Sequence, residues 1–192
     1  MEPHGSFALL FDPELESTPE AAAEAAPTAT LPLTSWKLTI EGSTQTMASP
    51  ISWETFPDWE HYSGMGSYTC EFTLEELPVR PVLSLSHLSA AARVLVNGAY
   101  AGEIWTHPLE LDLTHKLRPG KNTLEIQVYS TLVNEMMVDG SYEACPDVLP
   151  QWPYYGTVIN IQRKARLNCM REFTEQKQIL PSGLWGPVLL KV

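Results

Sequence analysis

Positive charge is scarce in this sequence. Lys and Arg supply only 12 of 192 residues against 23 Asp and Glu, for a formal net charge of −11. A surface that holds a phosphate backbone must be basic, so nucleic acid is not expected as a partner. Long apolar runs are missing as well. No stretch of 18 apolar residues occurs, and the N-terminus has no basic segment followed by an apolar one, so neither a membrane span nor a signal peptide is expected. Cysteine is sparse: Cys70, Cys145 and Cys169 are odd in number and show no C-x-x-C spacing. That argues against a disulfide framework or a zinc site, although Cys145 with Cys169 stays open as a pair in a secreted protein. G-x-S-x-G, H-E-x-x-H and phosphate-loop motifs are absent, and no cofactor is expected. No D-x-D-x-D loop marks calcium, so a structural ion stays open without being indicated.

What the sequence does have is period two. Between Ala91 and Val128, an apolar run at Val94 to Val96 meets Asn97-Gly98, the dipeptide that most readily takes the two positive φ angles of a type I′ turn. The chain then resumes toward Ile104 and Trp105, which makes a hairpin. Leu109, Leu111 and Leu113 alternate with Glu110 and Asp112, so one face of that strand is buried. After the turn signal Arg118-Pro119-Gly120-Lys121-Asn122, a further strand alternates Leu124, Ile126 and Val128 with Glu125, Gln127 and Tyr129.

The same alternation recurs outside this stretch. Trp36, Leu38 and Ile40 mark the expected first strand of the module, Ser67 to Leu74 and Val82 to His87 mark two more, and Val188 to Val192 closes the sheet after a turn at Gly183 to Pro187. Cys70 falls in phase with Tyr68, Phe72 and Leu74, which reads as a small core residue. His87 falls in phase with Leu83 and Leu85, as an interior or rim residue. The turn-rich segment Ser49 to Gly66 carries Trp53, Phe56, Trp59 and Tyr62. These rings either plug the open end of the sandwich, as the side chains of long loops usually do, or stack on sugar rings.

Toward the N-terminus, Phe7, Leu9 and Phe11 outline a short strand. Asp12 to Thr30 is Ala-, Glu-, Pro- and Thr-rich with few large apolar side chains, and reads as a flexible linker. The expected organisation is thus a strand and linker over 1–30 and one β-sandwich over 31–192. The length suits one sandwich of about 150 residues and is too short for a sandwich plus a barrel of about 250. Gly140 to Tyr155 is dense in Pro and aromatics without a period, a loop of functional length. Thr157 to Ile161 reads as a short strand. Arg163, Lys164, Arg166 and Arg171 form the one concentrated basic patch, either a solvated face or an anion site.

RVLVNGAYAGEIW, with LELDLTHKLRPGKNTLEIQV after it, resembles the sugar-binding domain of family 2 glycoside hydrolases, whose central hairpin carries V-x-V-N-G-x-x-x-G and whose next turn carries P-G-x-N-x-L. The ending PSGLWGPV, and Tyr62-Ser63-Gly64 before a strand, resemble the C-terminal module of α-L-rhamnosidase-like enzymes of family 106. The resemblance spans roughly residues 51 to 192 with a gap. It implies an all-β, jelly-roll β-sandwich of the galactose-binding-domain type with long loops. It also implies that the catalytic acids lie in a separate barrel domain outside this chain.

No catalytic residue is assigned. A glycosidase needs two carboxylates held across the scissile bond, one of them tuned by apolar surroundings, and Glu110, Asp112 and Glu125 are expected on solvated faces. The leading expectation is a noncatalytic accessory module of a glycoside hydrolase, with carbohydrate and the parent's catalytic domain as partners. An autonomous carbohydrate-binding module and a purely structural packing domain are the alternatives. The candidate carbohydrate-binding residues are Trp105, Trp152, Tyr154, Tyr155 and Trp185.

Overall fold

A computed structural model of the chain describes residues 29–135 and 179–192. The expected strand at Phe7 to Phe11, nearly all of the linker, Thr157 to Ile161, the basic patch, Cys145 with Cys169, and the candidates Trp152, Tyr154 and Tyr155 lie outside those residues.

Ten strands are described: β1 (Thr30–Leu33), β2 (Trp36–Ile40), β3 (Ser43–Met47), β4 (Met65–Leu74), β5 (Val82–Leu88), β6 (Ala91–Val96), β7 (Ala99–Ile104), β8 (Glu110–Asp112), β9 (Gly120–Tyr129) and β10 (Leu184–Lys191). They form two sheets, one of four strands in the order β1-β10-β5-β8 and one of six in the order β3-β2-β4-β9-β6-β7. Every paired neighbour is antiparallel. The result is an all-β sandwich.

Alternation builds the layer between the sheets. Trp36, Leu38 and Ile40 of β2, Tyr68 and Cys70 of β4, Val94 and Val96 of β6, and Leu124, Ile126 and Val128 of β9 are all buried. They meet Leu83, Leu85, Leu184, Val188 and Leu190 from the four-stranded sheet. Each such large side chain removed from water contributes about 1.5–3 kcal/mol. The buried Trp36 indole also needs a polar partner, and its Nε1 donates to Leu33 O at 2.9 Å.

Four expectations are corrected. A strand, β1, already begins at Thr30 and pairs with β10, so the Trp36 strand comes second. The strands of Ala91–Val128 divide between the sheets, since β8 pairs with β5, and Leu109 and Leu113 on either side of it are buried. The final strand begins at Leu184 rather than Val188. Gly186, at φ +83°, forms a bulge that lets Leu184 and Trp185 pair with Leu88 and His87 despite the turn-like Gly-Pro. That bulge also turns the end of the ladder, so Leu184 is buried while His87 is exposed. Finally, Glu110 and Glu125 are half-buried rather than solvated.

Candidate functional site

The end of the sandwich where the loops converge is closed by its own side chains. In the 49–64 loop, two 3₁₀ turns, Trp53–Thr55 and Pro57–Trp59, bury both tryptophans. Trp53 Nε1 donates to Tyr62 O at 3.3 Å, and its ring meets Tyr62 edge-on at 5.9 Å. Phe56 meets Trp59 likewise at 5.4 Å. Trp53 and Trp59 are thus core residues that plug the fold, and Phe56 and Tyr62 pack against them partly buried.

PSGLWGPV locks onto that plug. Ser182 N donates to Glu54 Oε2 at 2.9 Å and to Ser52 Oγ at 3.1 Å, and Trp53 N donates back to Ser182 O at 3.0 Å. Gly183 takes φ +95° against the Trp53 ring and the Tyr68 hydroxyl. Tyr68 Oη donates to Ile51 O at 3.1 Å and accepts from Leu184 N at 3.2 Å. Burial drives its pKa well above the ordinary tyrosine range, with the Glu54 charge adding to the rise, so it stays a neutral hydroxyl. Asn134, also buried, donates to Leu180 O at 2.8 Å and accepts from Leu180 N at 2.9 Å, stitching the two described segments together.

The two described candidates sit apart. Trp105 follows β7 at the edge of the six-stranded sheet and is 71% exposed. Trp185 lies on β10 in the other sheet, half-buried, with one face stacked on His87 at 5.3 Å and 8°. No ring contact joins Trp105 to Trp185 among the described residues. The His87 stack covers one indole face, which leaves Trp105 as the more open platform.

Five carboxylates are held by partners within the fold. Glu110 accepts from Lys191 Nζ and, at 3.3 Å, from Ser84 Oγ. Asp112 pairs with Arg80 at 3.1 Å, Glu71 with Lys121 at 2.9 Å and Glu103 with Arg93 at 3.5 Å. Ser67 Oγ and Gln127 Nε2 both donate to Glu125 Oε1 at 2.9 Å. Among the described residues no three His, Cys, Asp or Glu side chains converge as a metal site would require. One residue that sequence reasoning passed over is Tyr129, on the outward side of β9 and 39% exposed. Its outward phase was readable, but its neighbours come from strands distant in sequence.

No family model matches the sequence. A putative β-glucuronidase of Formosa agariphila is 26% identical over 144 residues, which make up 69% of this chain and 12% of that protein. The solved structure of a rhamnosidase from Novosphingobium sp. PP1Y superposes with a TM-score of 0.61 at 27% identity, covering 91% of this chain and 16% of that one. The chain is therefore a β-sandwich related to part of a glycoside hydrolase. It spans 12% and 16% of these two relatives.

Proposed function

We propose that this chain is a noncatalytic accessory β-sandwich of a glycoside hydrolase that supports carbohydrate recognition, working beside a separate catalytic domain. In type it is a jelly-roll, galactose-binding-like module akin to the C-terminal module of family 106 rhamnosidase-like enzymes. The module starts with β1 at Thr30, one residue ahead of the expected boundary, and the expected N-terminal strand and linker precede it. The observation that carries this reading is the superposition over 91% of the chain on only 16% of a rhamnosidase. Glycosidase chemistry calls for an opposed pair of tuned carboxylates, whereas Glu110, Asp112, Glu71 and Glu103 each hold a cation of their own.

The test pairs two assays on the purified chain. Aryl glycosides, the α-L-rhamnoside among them, should not be turned over, while a glycan array should show a bound sugar. Turnover abolished by Glu103→Gln or by any other single carboxylate substitution would make the chain an enzyme and end the proposal.

A second reading, a purely structural packing domain, is favoured by one observation. The residues that carry the resemblance are bonded into the fold itself, Ser182 to Ser52 and Glu54, and Asn97 to Asn122. They need no ligand to explain them. A silent glycan array would select this reading.

A further inference from the structure

The outer face of the six-stranded sheet ends in a row that four strands build together. Met65 of β4 pairs with Tyr129 of β9, and Tyr129 pairs with Ala91 of β6. Ala92 pairs with Ile104, the last residue of β7, and Trp105 follows directly at the same end of the sheet. The adjacent residues Gly66, Val128 and Ala92 are buried, which fixes the sides: Met65, Tyr129 and Ala91 face outward, and Trp105, just past the end of β7, stands exposed beside them. Trp105 is 71% exposed, Met65 40% and Tyr129 39%. Two strand spacings separate the aromatics, about 9–10 Å, and Ala91 leaves only a methyl group between them.

The next outward row is polar. Arg93 pairs with Glu103 at 3.5 Å, and Gln127 reaches Glu125 alongside Ser67. A pyranose has an apolar C–H face, which suits a flat π surface, and a rim of hydroxyls, which suits such donors and acceptors. One Arg against two Glu gives this patch a slight negative charge within a chain of net charge −11, which disfavours anionic sugars. A stable protein interface buries about 800 Å² on each partner around an apolar centre, whereas this row is bounded along one side by the Arg93–Glu103 pair and Gln127.

Building on the carbohydrate-recognition reading above, we infer that this row is a glycan-binding strip. It takes an oligosaccharide of uncharged pyranoses laid across β7, β6, β9 and β4, with rings on Trp105 and Tyr129 and hydroxyls on the Arg93–Gln127 row.

The test is calorimetric titration of the full chain with cellohexaose, xylohexaose, mannohexaose and a neutral rhamnose-bearing oligosaccharide, with hexagalacturonate as the anionic control. At least one neutral sugar should bind, and raising the salt should change its affinity by less than about twofold. Trp105→Ala and Tyr129→Ala should each weaken that binding about five- to a hundredfold, the range for stacking on an aromatic. Ala91→Leu, which fills the floor while leaving both rings, should weaken it too, and Tyr129→Phe should retain it. Thermal melts of each variant separate lost binding from lost folding; the Ala91 and Phe variants decide the matter if either truncation unfolds the chain. Neutral-sugar binding that all these variants leave untouched would overturn the strip while the proposed function stands. Salt-sensitive binding of hexagalacturonate alone would overturn the neutral-ligand assignment. A wild-type chain that binds no sugar would overturn both, and would leave the row to a protein partner.

Discussion

Asn97 and Asn122 are joined side chain to side chain, Asn97 Nδ2 donating to Asn122 Oδ1 at 2.9 Å. The contact ties the β6–β7 turn to the turn before β9, and Asn122 also holds its own turn. Asn122 Oδ1 accepts from Arg118 N at 3.1 Å, while its Nδ2 donates to Arg118 O at 2.7 Å and Gly120 O at 3.1 Å. Asn97 Oδ1 accepts from Thr123 N at 3.0 Å. Asn122 has no solvent exposure, so its lost bonds could not be replaced by water.

Asn122→Ala should therefore cost about 2–4 kcal/mol, because several backbone groups lose their partner in a buried site. Urea unfolding should show a lower midpoint with an unchanged slope. A midpoint within error of the wild type would mean that the turn holds without this side chain.

Two glycines separate backbone strain from crowding. Gly98 sits at φ +78° with open space where a Cβ would be, so Gly98→Val should cost about 1–2 kcal/mol through left-handed strain. Gly183, at φ +95°, adds a clash: a Cβ there would lie 2.5 Å from Tyr68 Oη and 2.6 Å from the Trp53 ring. Gly183→Ala should thus be the more damaging of the two although it adds less bulk. Equal melting temperatures for the two variants would show that the plug around Trp53 yields freely.

Most strands were legible because each is buried on one side only, and a half-buried strand writes its register into alternating polarity. Leu124, Ile126 and Val128 reveal β9, and Asn97-Gly98 reveals its hairpin, with φ +53° and +78° as that dipeptide favours. The start of β10 was hidden because Gly186-Pro187 has the composition of a turn. Only its pairing partners show that it is a bulge. The same bulge reversed the expected side of His87. Trp105 was legible as the end of a hairpin, whereas its outward neighbour Tyr129 was not, since a row across a sheet depends on how β6 and β9 are paired. Trp53 and Trp59 read equally well as plug or platform from sequence, because burial in a loop has no period.

Cys70 is 2% exposed on the core side of β4, and its pKa is pushed from 9.0 to about 12, chiefly by burial and secondarily by the Glu71 charge. In a Cys145→Ser/Cys169→Ser background it should resist a thiol reagent at pH 8 and react once guanidinium unfolds the chain. The sign of the linkage follows. The folded value lies above the unfolded one, so this thiol's share of the stability is complete below about pH 8.5 and is lost as pH rises toward 12. Rapid labelling of the native protein would place Cys70 in contact with solvent.

At the end of β8, Asp112 has its pKa held below the ordinary 3.8. Thr114 is the main cause, with its backbone amide donating to Oδ1 at 2.8 Å; Arg80 at 3.1 Å adds to it. A depressed folded value means that the ionised carboxylate stabilises the fold above the unfolded pKa, and that this contribution is lost as pH falls through the folded one. The side chain is 46% exposed, so solvent screening keeps the effect below about 1 kcal/mol. Asp112→Asn should accordingly lower the urea midpoint slightly at pH 7, and the gap between variant and wild type should close as pH drops below the ordinary carboxylate range. Added salt should narrow the gap only in part, because it screens the Arg80 charge and leaves the Thr114 amide bond in place. A gap that stays constant from pH 7 to acid would mean that the substitution acts through packing, with the charge of Asp112 contributing nothing.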